Sequence, residues 1–388
     1  MIPTLQTFLD AKPLYYDEID LERMPREFAR IKSHFPSPKV VHVVGTNGKG
    51  TTGRFLANAL LQNGFRVGHY TSPHIVNFNE RIWLNGNNVE DSVLEVAHLK
   101  LYKLLAQASR DALSYFEYTT LLAMLVYEEC DYVVLEAGLG GEFDATNVFE
   151  KVLSLFVPID IDHQAFLGES VEEIAATKFR SMESRAILGY QHHDQVKEIY
   201  KRVADSKGCR TFDVDSILGS GVIREVRQLA TAKGLASYLQ DNLLLALSAL
   251  ELLGYDTEVE GLIEVPLFGR LSQVRENVLL DVGHNALAAE AIAKALSGQK
   301  IILIYNSYRD KDYEKIMRLL KPIILHVELI DVEDVRVEQE HLLRDVITAE
   351  GIEVRKFATI EEDKSYLVFG SFSVAEAFLA YLSSEKGL

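Results

Sequence analysis

A glycine-rich turn near residue 45 carries the residue types that hold phosphate groups. The segment Gly45–Thr51, GTNGKGT, follows the hydrophobic run Val40–Val44 and opens a helical pattern. Glycines let the backbone curl so that N–H groups face an anion, and the helix N-terminus adds partial positive charge. We therefore predict an ATP site in which Lys49 reaches the terminal phosphates, Thr51 binds magnesium, and the empty site leaves Lys49 facing solvent. The predicted ATP-binding residues of the turn are Thr46, Asn47, Gly48, Lys49, Gly50, Thr51 and Thr52.

The turn differs from the common phosphate-loop pattern G-x-x-x-x-G-K-[ST]. Val43 stands where the first glycine would fall, and Gly50 separates Lys49 from Thr51. This variant disfavours switch GTPases and ordinary motor ATPases. A second glycine-rich segment has Phe143 where a dinucleotide-binding motif needs its third glycine, so we reject a dinucleotide site there.

Two further side chains that could bind a metal follow predicted strands. Glu136 comes directly after the run Tyr132–Leu135, and His163 follows the run Val152–Val157. Ligands of open α/β sheets collect at the carboxyl ends of the strands, and carboxylate oxygens suit magnesium. The sequence therefore predicts Glu136 and His163 as magnesium ligands.

The elements that must position these residues follow an α/β pattern. Short β-branched runs alternate with amphipathic stretches, as in a parallel sheet covered by helices. The alternation breaks at Pro266 and Gly269 and then resumes. We predict a P-loop-type, mostly parallel sheet domain over residues 1–264 and a smaller Rossmann-like α/β domain over residues 265–388. Residues 192–227 show no assignable pattern. The predicted strands are Val40–Val44, Tyr132–Leu135, Val152–Val157, Val278–Leu280, Ile301–Ile304, Ile323–Leu325, Ile352–Val354 and Tyr366–Phe369, and the predicted helices include Thr51–Asn63 and Asp241–Gly254.

The composition of the 388-residue chain argues against several kinds of partner. Its formal net charge of −17, without a basic patch, disfavours nucleic acids and anionic membranes. No segment approaches the roughly 20 apolar residues of a membrane span, and the N-terminus lacks the features of a signal peptide. Two cysteines outside any C-x-x-C spacing fit a reducing compartment. We expect a cytoplasmic protein.

A series of short segments follows the phosphate loop in a specific order. They are Tyr70–His74, Glu80–Ile82, Tyr115–Tyr118, Glu136–Gly141, Asp144–Asn147, Asp162–His163, Leu167–Gly168, Gly269–Leu271, Asp281 with His284–Asn285, and Asp310–Asp312. Together with the loop, and across most of the chain, they resemble the dihydrofolate synthase and folylpolyglutamate synthase branch of the Mur ligase superfamily.

The resemblance implies an ATP-dependent acid–amino-acid ligase of folate biosynthesis and one-carbon metabolism. In such enzymes an acceptor carboxylate attacks the γ-phosphate of ATP, and the amine of glutamate then displaces phosphate from the acyl phosphate to form an amide. Lysine and magnesium neutralise the repulsion between the two anions. The acceptor would be dihydropteroate, a reduced folate or both, and the resemblance implies a monomer.

The resemblance also assigns roles to individual residues. Thr51 and Glu136 would bind one Mg²⁺, and His163 would bind a second that a carbamylated Lys178 shares. The catalytic residues implied are Lys49, Lys178, His163 and His284. Beyond the loop, the implied nucleotide contacts are Asn242 to adenine, Arg270 to the phosphates and Asp281 to the ribose. The implied substrate residues are Ser72, Asp144 and Asn147 on the folate side, and His284 and Ser371 beside glutamate.

Three segments depart from the pattern of that family. Around the modified lysine the family usually has EKAGI, whereas Thr177–Ser181 reads TKFRS. Glu142 replaces an arginine beside the expected folate site, and Asp281–Ala286 reads DVGHNA in place of DGAHNP. These changes leave the ATP site intact and bear on the substrate.

Two other functions fit parts of the pattern. A Mur-type ligase could act on a different carboxylate acceptor, such as a cell-wall precursor. Only about forty residues precede the phosphate loop, too few for the extra N-terminal domain that such ligases carry. A P-loop switch protein without ligase activity would need a guanine-reading N-K-x-D motif, which we do not find.

Overall fold

The computed structural model describes residues 2–12, 20–264 and 267–385. The chain divides into two compact units, residues 1–233 with 239–265, and residues 234–238 with 266–388. Residues 234–238, which the sequence places in the first domain, thus cluster with the second unit. Pro266, where the sequence alternation breaks, lies outside the described residues.

Helices and strands alternate along both units, which confirms the α/β class. The helices are α1 (Leu5–Asp10), α2 (Arg23–Ile31), α3 (Lys49–Gln62), α4 (Asp91–Leu104), α5 (Gln107–Ala112), α6 (Tyr115–Val126), α7 (Gln164–Leu167), α8 (Val171–Phe179), α9 (Asp194–Lys207), α10 (Val214–Ala232), α11 (Ser237–Leu253), α12 (Val259–Ile263), α13 (Ala286–Ala295), α14 (Tyr313–Leu320), α15 (Glu340–Ala349) and α16 (Phe372–Glu385). The strands are β1 (Lys39–Val44), β2 (Val67–Tyr70), β3 (Ile82–Leu84), β4 (Asn87–Asn88), β5 (Tyr132–Glu136), β6 (Lys151–Phe156), β7 (Arg185–Leu188), β8 (Arg210–Asp213), β9 (Ser272–Arg275), β10 (Val278–Leu280), β11 (Ile301–Tyr305), β12 (Ile324–Leu329), β13 (Val354–Lys356) and β14 (Tyr366–Phe369).

The sheet of the first unit has the strand order β4-β3-β2-β5-β1-β6-β7-β8. The six strands β2, β5, β1, β6, β7 and β8 run parallel, and β3 and β4 add an antiparallel edge. The central strand β1 is buried from Val40 to Val44, as expected where helices cover both faces of a sheet. Its neighbours are β5 and β6, so the ends of these three strands lie side by side and bring together the segments that start at Gly45, Glu136 and Val157.

The sheet of the second unit has the order β13-β12-β11-β14-β10-β9, and only β9 pairs antiparallel. Its core forms where helices α13 to α15 cover β11, β12 and β14 with apolar side chains. Among the described residues, no helix is long and apolar enough to cross a lipid bilayer.

Candidate active site

The phosphate loop lies between β1 and α3, and its geometry requires two glycines. Gly45 and Gly48 have φ angles of +152° and +93°. A Cβ atom at Gly45 would lie 2.2 Å from Cγ2 of Val157, and one at Gly48 would lie 2.4 Å from Oδ1 of Asn242. A Cβ atom at either position would therefore force a neighbouring group to shift, and the positive φ angles favour glycine. The second contact places Asn242, the predicted adenine contact, directly against the loop.

The sequence led us to expect that the N–H groups of the loop point at a phosphate, but those of its first half do not. The N–H groups of Thr46 and Asn47 donate to the carbonyl oxygen of Pro158, at N···O distances of 2.9 and 3.4 Å. The Thr46 hydroxyl also bonds the backbone of Asp160. These contacts tie the loop to the segment that follows β6. Phosphate binding is therefore expected at the first turn of α3, where an α-helix leaves its N–H groups without intrahelical acceptors.

Lys49 is turned inward, so the prediction that it faces solvent in the empty loop is wrong. Its Nζ donates to the carbonyl oxygens of Gly45 and Thr46, at 3.3 and 3.1 Å, and lies 3.9 Å from Oε1 of Glu136. The ammonium group thus has two hydrogen-bond acceptors in its own loop and a carboxylate nearby.

Thr51 and Glu136 have features that fit a magnesium ion. The Thr51 hydroxyl is buried and has no hydrogen-bond partner among the described residues, although buried polar atoms are normally paired. Glu136 ends β5 and is buried, with Oε2 accepting from the Thr71 hydroxyl and from the N–H of Ser72. An orphaned hydroxyl and a buried carboxylate are oxygen ligands of the kind that magnesium prefers.

Lys178 lies in the last turn of α8 and is buried. Its Nζ donates to the carbonyl oxygen of Gly45 at 2.9 Å, so the amine touches the phosphate loop. Burial, together with the nearby charge of Lys49, lowers the pKa of Lys178 to about 7. A sizeable fraction of this amine is therefore uncharged at neutral pH, and an uncharged amine is the form that reacts with carbon dioxide to give a carbamate.

His163 caps the short helix α7 with a φ of +53° and exposes 44% of its side chain. Its Nε2 lies 4.0 Å from Oδ2 of Asp162. Within the described ranges, no group of three or more His, Cys, Asp or Glu side chains could hold a metal ion. The predicted second metal site therefore depends on the conversion of Lys178 to a carboxylate, and His163 remains a predicted ligand.

The predicted folate-side residues Asp144 and Asn147 line a cavity of about 390 Å³. Asp144 is buried, and its carboxylate accepts hydrogen bonds from the N–H groups of Leu139 and Thr146 at 2.8 and 2.9 Å. Asn147 donates to the carbonyl oxygen of Glu142, and its Oδ1 is buried without a hydrogen-bond partner in the described part of the chain. The cavity is also lined by Leu21, Phe28, Lys32, Glu142 and Phe143.

Ser72 reaches the site through its backbone, by donating its N–H to Glu136 at 3.2 Å. Nearby, Arg81, in the segment Glu80–Ile82, is a further candidate for the site. Arg81 is only 8% exposed, donates to Nδ1 of His74 at 2.7 Å and stacks over the ring of Tyr115. Burial lowers the pKa of His74 to about 4, so His74 is neutral and gives Arg81 no countercharge. The pattern of polar and apolar residues in the sequence does not predict that this arginine is buried.

In the second unit, Asp281 is buried and holds a turn together. Its carboxylate accepts from the Tyr238 hydroxyl, the N–H of Leu271 and the N–H of Gly283, at 2.9, 2.9 and 2.7 Å. Burial raises the pKa of Asp281, an effect that the nearby Arg270 opposes. Asp281 thus has a structural role that the sequence did not indicate, and its contact to the ribose stays a prediction.

Of the other predicted residues of the second unit, Arg270 precedes β9, whereas His284 follows β10 and Ser371 follows β14. Arg270 stacks over the ring of Phe372 at 5.6 Å. His284 approaches the carbonyl oxygen of Val282 through Nδ1 at 3.2 Å. The Ser371 hydroxyl accepts from the N–H of Val374 and so caps α16, which is a second structural role. Contacts of these residues to the nucleotide and to glutamate stay predictions.

Comparison with known proteins decides the family. No family model matches the chain. The dihydrofolate synthase/folylpolyglutamate synthase of Escherichia coli is 33% identical over 329 residues, which cover 79% of this chain and 76% of that protein. The chain belongs to the dihydrofolate synthase/folylpolyglutamate synthase family. Members of this family are ATP-dependent ligases.

Solved structures agree with this membership. The crystal structure of Helicobacter pylori folylpolyglutamate synthetase matches with 41% identity and a TM-score of 0.79, and the match covers 98% of both chains. The bifunctional synthase of Yersinia pestis, solved with AMPPNP and a manganese ion, has the same fold, with a TM-score of 0.79, 23% identity and 97% coverage of both chains.

Two of the departures from the family pattern lie together in the first unit. Glu142 forms an ion pair with Arg180, the residue two positions after Lys178. The N–H of Glu142 also donates to the carbonyl oxygen of Thr177 at 3.1 Å. The carboxylate in place of the usual arginine is therefore paired with a cation at the C-cap of α8, and the loop beside the cavity is hydrogen-bonded to the helix that carries Lys178.

Proposed function

We propose that this protein is an ATP-dependent ligase that joins the carboxylate of dihydropteroate or a reduced folate to L-glutamate, with release of ADP and phosphate. The observation that supports this best is the convergence of Lys49, the orphaned hydroxyl of Thr51, Glu136 and buried Lys178 around one phosphate loop in a member of this family.

In the first step, an oxygen of the acceptor carboxylate attacks the γ-phosphorus of ATP, and ADP leaves. Two anions must approach each other, which the N-terminus of α3 and Lys49 favour by their positive charge. Lys49 only has to give up its bonds to the carbonyl oxygens of Gly45 and Thr46 to reach a phosphate. In the second step, the amine of glutamate attacks the acyl carbon, phosphate leaves, and the nitrogen loses a proton.

A divalent metal fits the residues of the first unit. Bound magnesium would neutralise phosphate charge and orient the leaving group. Thr51 and Glu136 would hold one ion, and His163 with a carbamylated Lys178 would hold a second. The lowered pKa of Lys178 and its contact with Gly45 support this second site, because they supply an uncharged amine beside the loop.

The cavity beside Asp144 and Asn147 is our candidate site for the folate-type acceptor. It combines the aromatic rings of Phe28 and Phe143 with polar groups, as ligand sites usually do. Among the lining residues, Asp144, Asn147 and Lys32 supply polar side chains. Ser72 would lie near the carboxylate that reacts, since it bonds Glu136.

The remaining predicted roles belong to the other contacts of ATP and to glutamate. Asn242, which lies against Gly48, would contact the adenine. Arg270 and Asp281 would contact the phosphates and the ribose, and His284 and Ser371 would lie beside glutamate. The relatives do not favour the alternative of a ligase for another acceptor.

An omission assay tests the proposal. Purified protein is incubated with ATP, magnesium, glutamate and either dihydropteroate or tetrahydrofolate, and ADP and phosphate are measured. We expect release that requires both the folate and glutamate, and a product heavier than the acceptor by one glutamyl residue. Release of ADP and phosphate that does not depend on the folate, or that requires a UDP-sugar acceptor, would contradict the proposal. The two acceptors in parallel tell whether one or both reactions occur.

A further inference from the structure

A buried histidine in the central strand contacts the loop that borders the acceptor cavity. His42 lies in β1 and is completely buried. Its Nε2 lies 2.8 Å from the hydroxyl of Thr146, one residue before Asn147. Its Nδ1 is buried without a hydrogen-bond partner among the described residues. An apolar side chain would avoid that unpaired atom, so the Nε2 contact is the feature that distinguishes this histidine from a packing residue.

Chemistry alone decides which atom donates in each hydrogen bond among His42, Thr146 and Asp144. The Thr146 hydroxyl also contacts Oδ1 of Asp144. A carboxylate only accepts, so Thr146 donates its proton to Asp144. The hydroxyl oxygen is then free to accept, and His42 must donate from Nε2. Burial and the charge of Lys151 lower the pKa of His42 well below its usual range, which keeps the ring neutral with one N–H.

Asp144 connects the two ends of the loop that borders the cavity. One carboxylate oxygen accepts from the N–H of Leu139, and the other accepts from both the N–H and the hydroxyl of Thr146. The hydroxyl can point at Asp144 or away from it, and the N–H of His42 leaves only the first arrangement favourable. The buried strand thus fixes the position of a carboxylate at the cavity wall.

We propose that His42 is a positioning residue for acceptor binding, which acts through the Thr146 hydroxyl and Asp144 on the loop 139–147. The proposal rests on the acceptor site proposed above. It assigns no contact between His42 and any ligand, and it assigns no role in ATP binding.

Substitutions that separate the N–H from the bulk of the ring test the proposal. His42→Leu removes the donor, whereas His42→Gln places an amide N–H near the position of Nε2. We expect His42→Leu to raise the KM and the Kd for dihydropteroate about tenfold, as for the loss of a hydrogen bond linked to a charged group. The KM for ATP should change less than twofold, and His42→Gln should restore most of the acceptor affinity.

A matched control comes from a second buried histidine of the same unit. His98 bonds the hydroxyl of Tyr118 and the carbonyl oxygen of Pro3, away from the loop 139–147. His98→Leu should lower the melting temperature without an acceptor-specific change in KM. Thr146→Val should reproduce the effect of His42→Leu, and the double variant should be no worse than either single variant. If His42→Leu fails to fold, Thr146→Val, which removes the hydroxyl, and Thr146→Ser, which keeps it, provide the test instead.

Equal acceptor affinity in the wild type and in His42→Leu, or in the wild type and in Thr146→Val, would overturn the proposal. So would a parallel rise in the KM values for dihydropteroate and ATP that His42→Gln does not relieve. If the wild type itself binds neither dihydropteroate nor tetrahydrofolate, the proposed function fails instead, and the two failures are thus distinguishable.

Discussion

Lys178 is a buried lysine whose amine is held at the phosphate loop. In the described structure, the amine donates its one hydrogen bond to the carbonyl oxygen of Gly45, and no carboxylate lies within ion-pair distance of it. A lysine in such surroundings loses affinity for its proton, because a buried charge without a partner is costly. The lowered pKa makes the residue a suitable amine for carbamylation and a poor structural cation.

Lys178→Ala should lower kcat about a hundredfold or more, since a ligand of the second metal would be lost. Short carboxylates such as acetate should restore part of the activity, because they can occupy the space of the carbamate. The measurement is steady-state ADP release with and without added acetate. Lys100→Ala, at a partly exposed lysine paired with Glu128, is the control. Full activity of Lys178→Ala would contradict the assignment.

Lys178→Met should stabilise the protein, most strongly below pH 7. The pKa of Lys178 is about 7 in the folded chain and 10.5 when unperturbed. Between these values the unfolded chain binds more protons, so the stability of the wild type rises with pH and is lowest below pH 7. Lys178→Met has no buried amine to deprotonate, so its free energy of unfolding below pH 7 should exceed that of the wild type by a few kcal/mol, since each pKa unit is worth about 1.4 kcal/mol. The lost bond to Gly45 reduces the gain.

Denaturant titrations of both proteins at several pH values, without nucleotide, metal or carbon dioxide, measure this difference. A gain that grows as the pH rises from 7 to 10 would show that the buried amine is not the cause.

At the scale of elements, the phosphate loop is the part of the site that the sequence predicted best. The glycines at 45 and 48 were correctly placed between a strand and a helix, because the strand Val40–Val44 is a clear apolar run and positive φ angles need glycine. The predicted direction of the N–H groups of Thr46 and Asn47 was wrong. It depends on a contact with Pro158, more than one hundred positions along the chain, which no local pattern contains.

Gly48→Ala should weaken nucleotide binding, whereas Gly64→Ala should not. Both glycines flank α3 and have positive φ angles, +93° and +80°. An alanine Cβ would meet Asn242 at Gly48 but nothing within 4 Å at Gly64. Both variants should lose about 1 kcal/mol of stability from backbone strain. Only Gly48→Ala should raise the Kd for ATP more than tenfold, as measured by calorimetry. Equal affinities for the two variants would contradict the geometry of the loop.

Two segments show why other elements escaped prediction from the sequence. The unassigned residues 192–227 contain α9 and most of α10. Helix α10 is kinked at Gly219 (φ +72°), which interrupts its periodicity. The predicted strand Ile352–Val354 lies two residues early, because Ile352 is a buried loop residue and β13 is a short edge strand in which two of the three side chains are charged. Apolar runs locate central strands, but not edges of this kind.

The same limit applies to the site residues. Asp144, Asp281 and Ser371 were named as ligand contacts, and each also has a protein partner that fixes a loop or a helix end. Arg81 and His42 were missed because their importance comes from burial and from partners distant in sequence. A motif identifies which residues take part, but burial and hydrogen bonds are needed to say how.

At the scale of the whole molecule, the proposed function requires a chain with a net charge of −17 to bind ATP and a folate, both of which are anions. The general field repels them, so binding depends on a few cations placed at the site and on bound metal. We propose that Lys49 and Arg81 supply such charge in the first unit, and that Arg270 supplies it in the second. This arrangement fits a ligase that must bring two anionic groups together before the bond between them can form.

The most direct test of the central claim is to follow the oxygen atoms of the acceptor. Dihydropteroate with a carboxylate labelled by heavy oxygen is incubated with the protein, ATP, magnesium and glutamate, and the products are analysed by mass spectrometry. Activation through an acyl phosphate predicts that one labelled oxygen appears in the released phosphate and the other remains in the new amide. Product formed with no label in the phosphate, or ATP cleaved without any glutamylated product, would contradict the account.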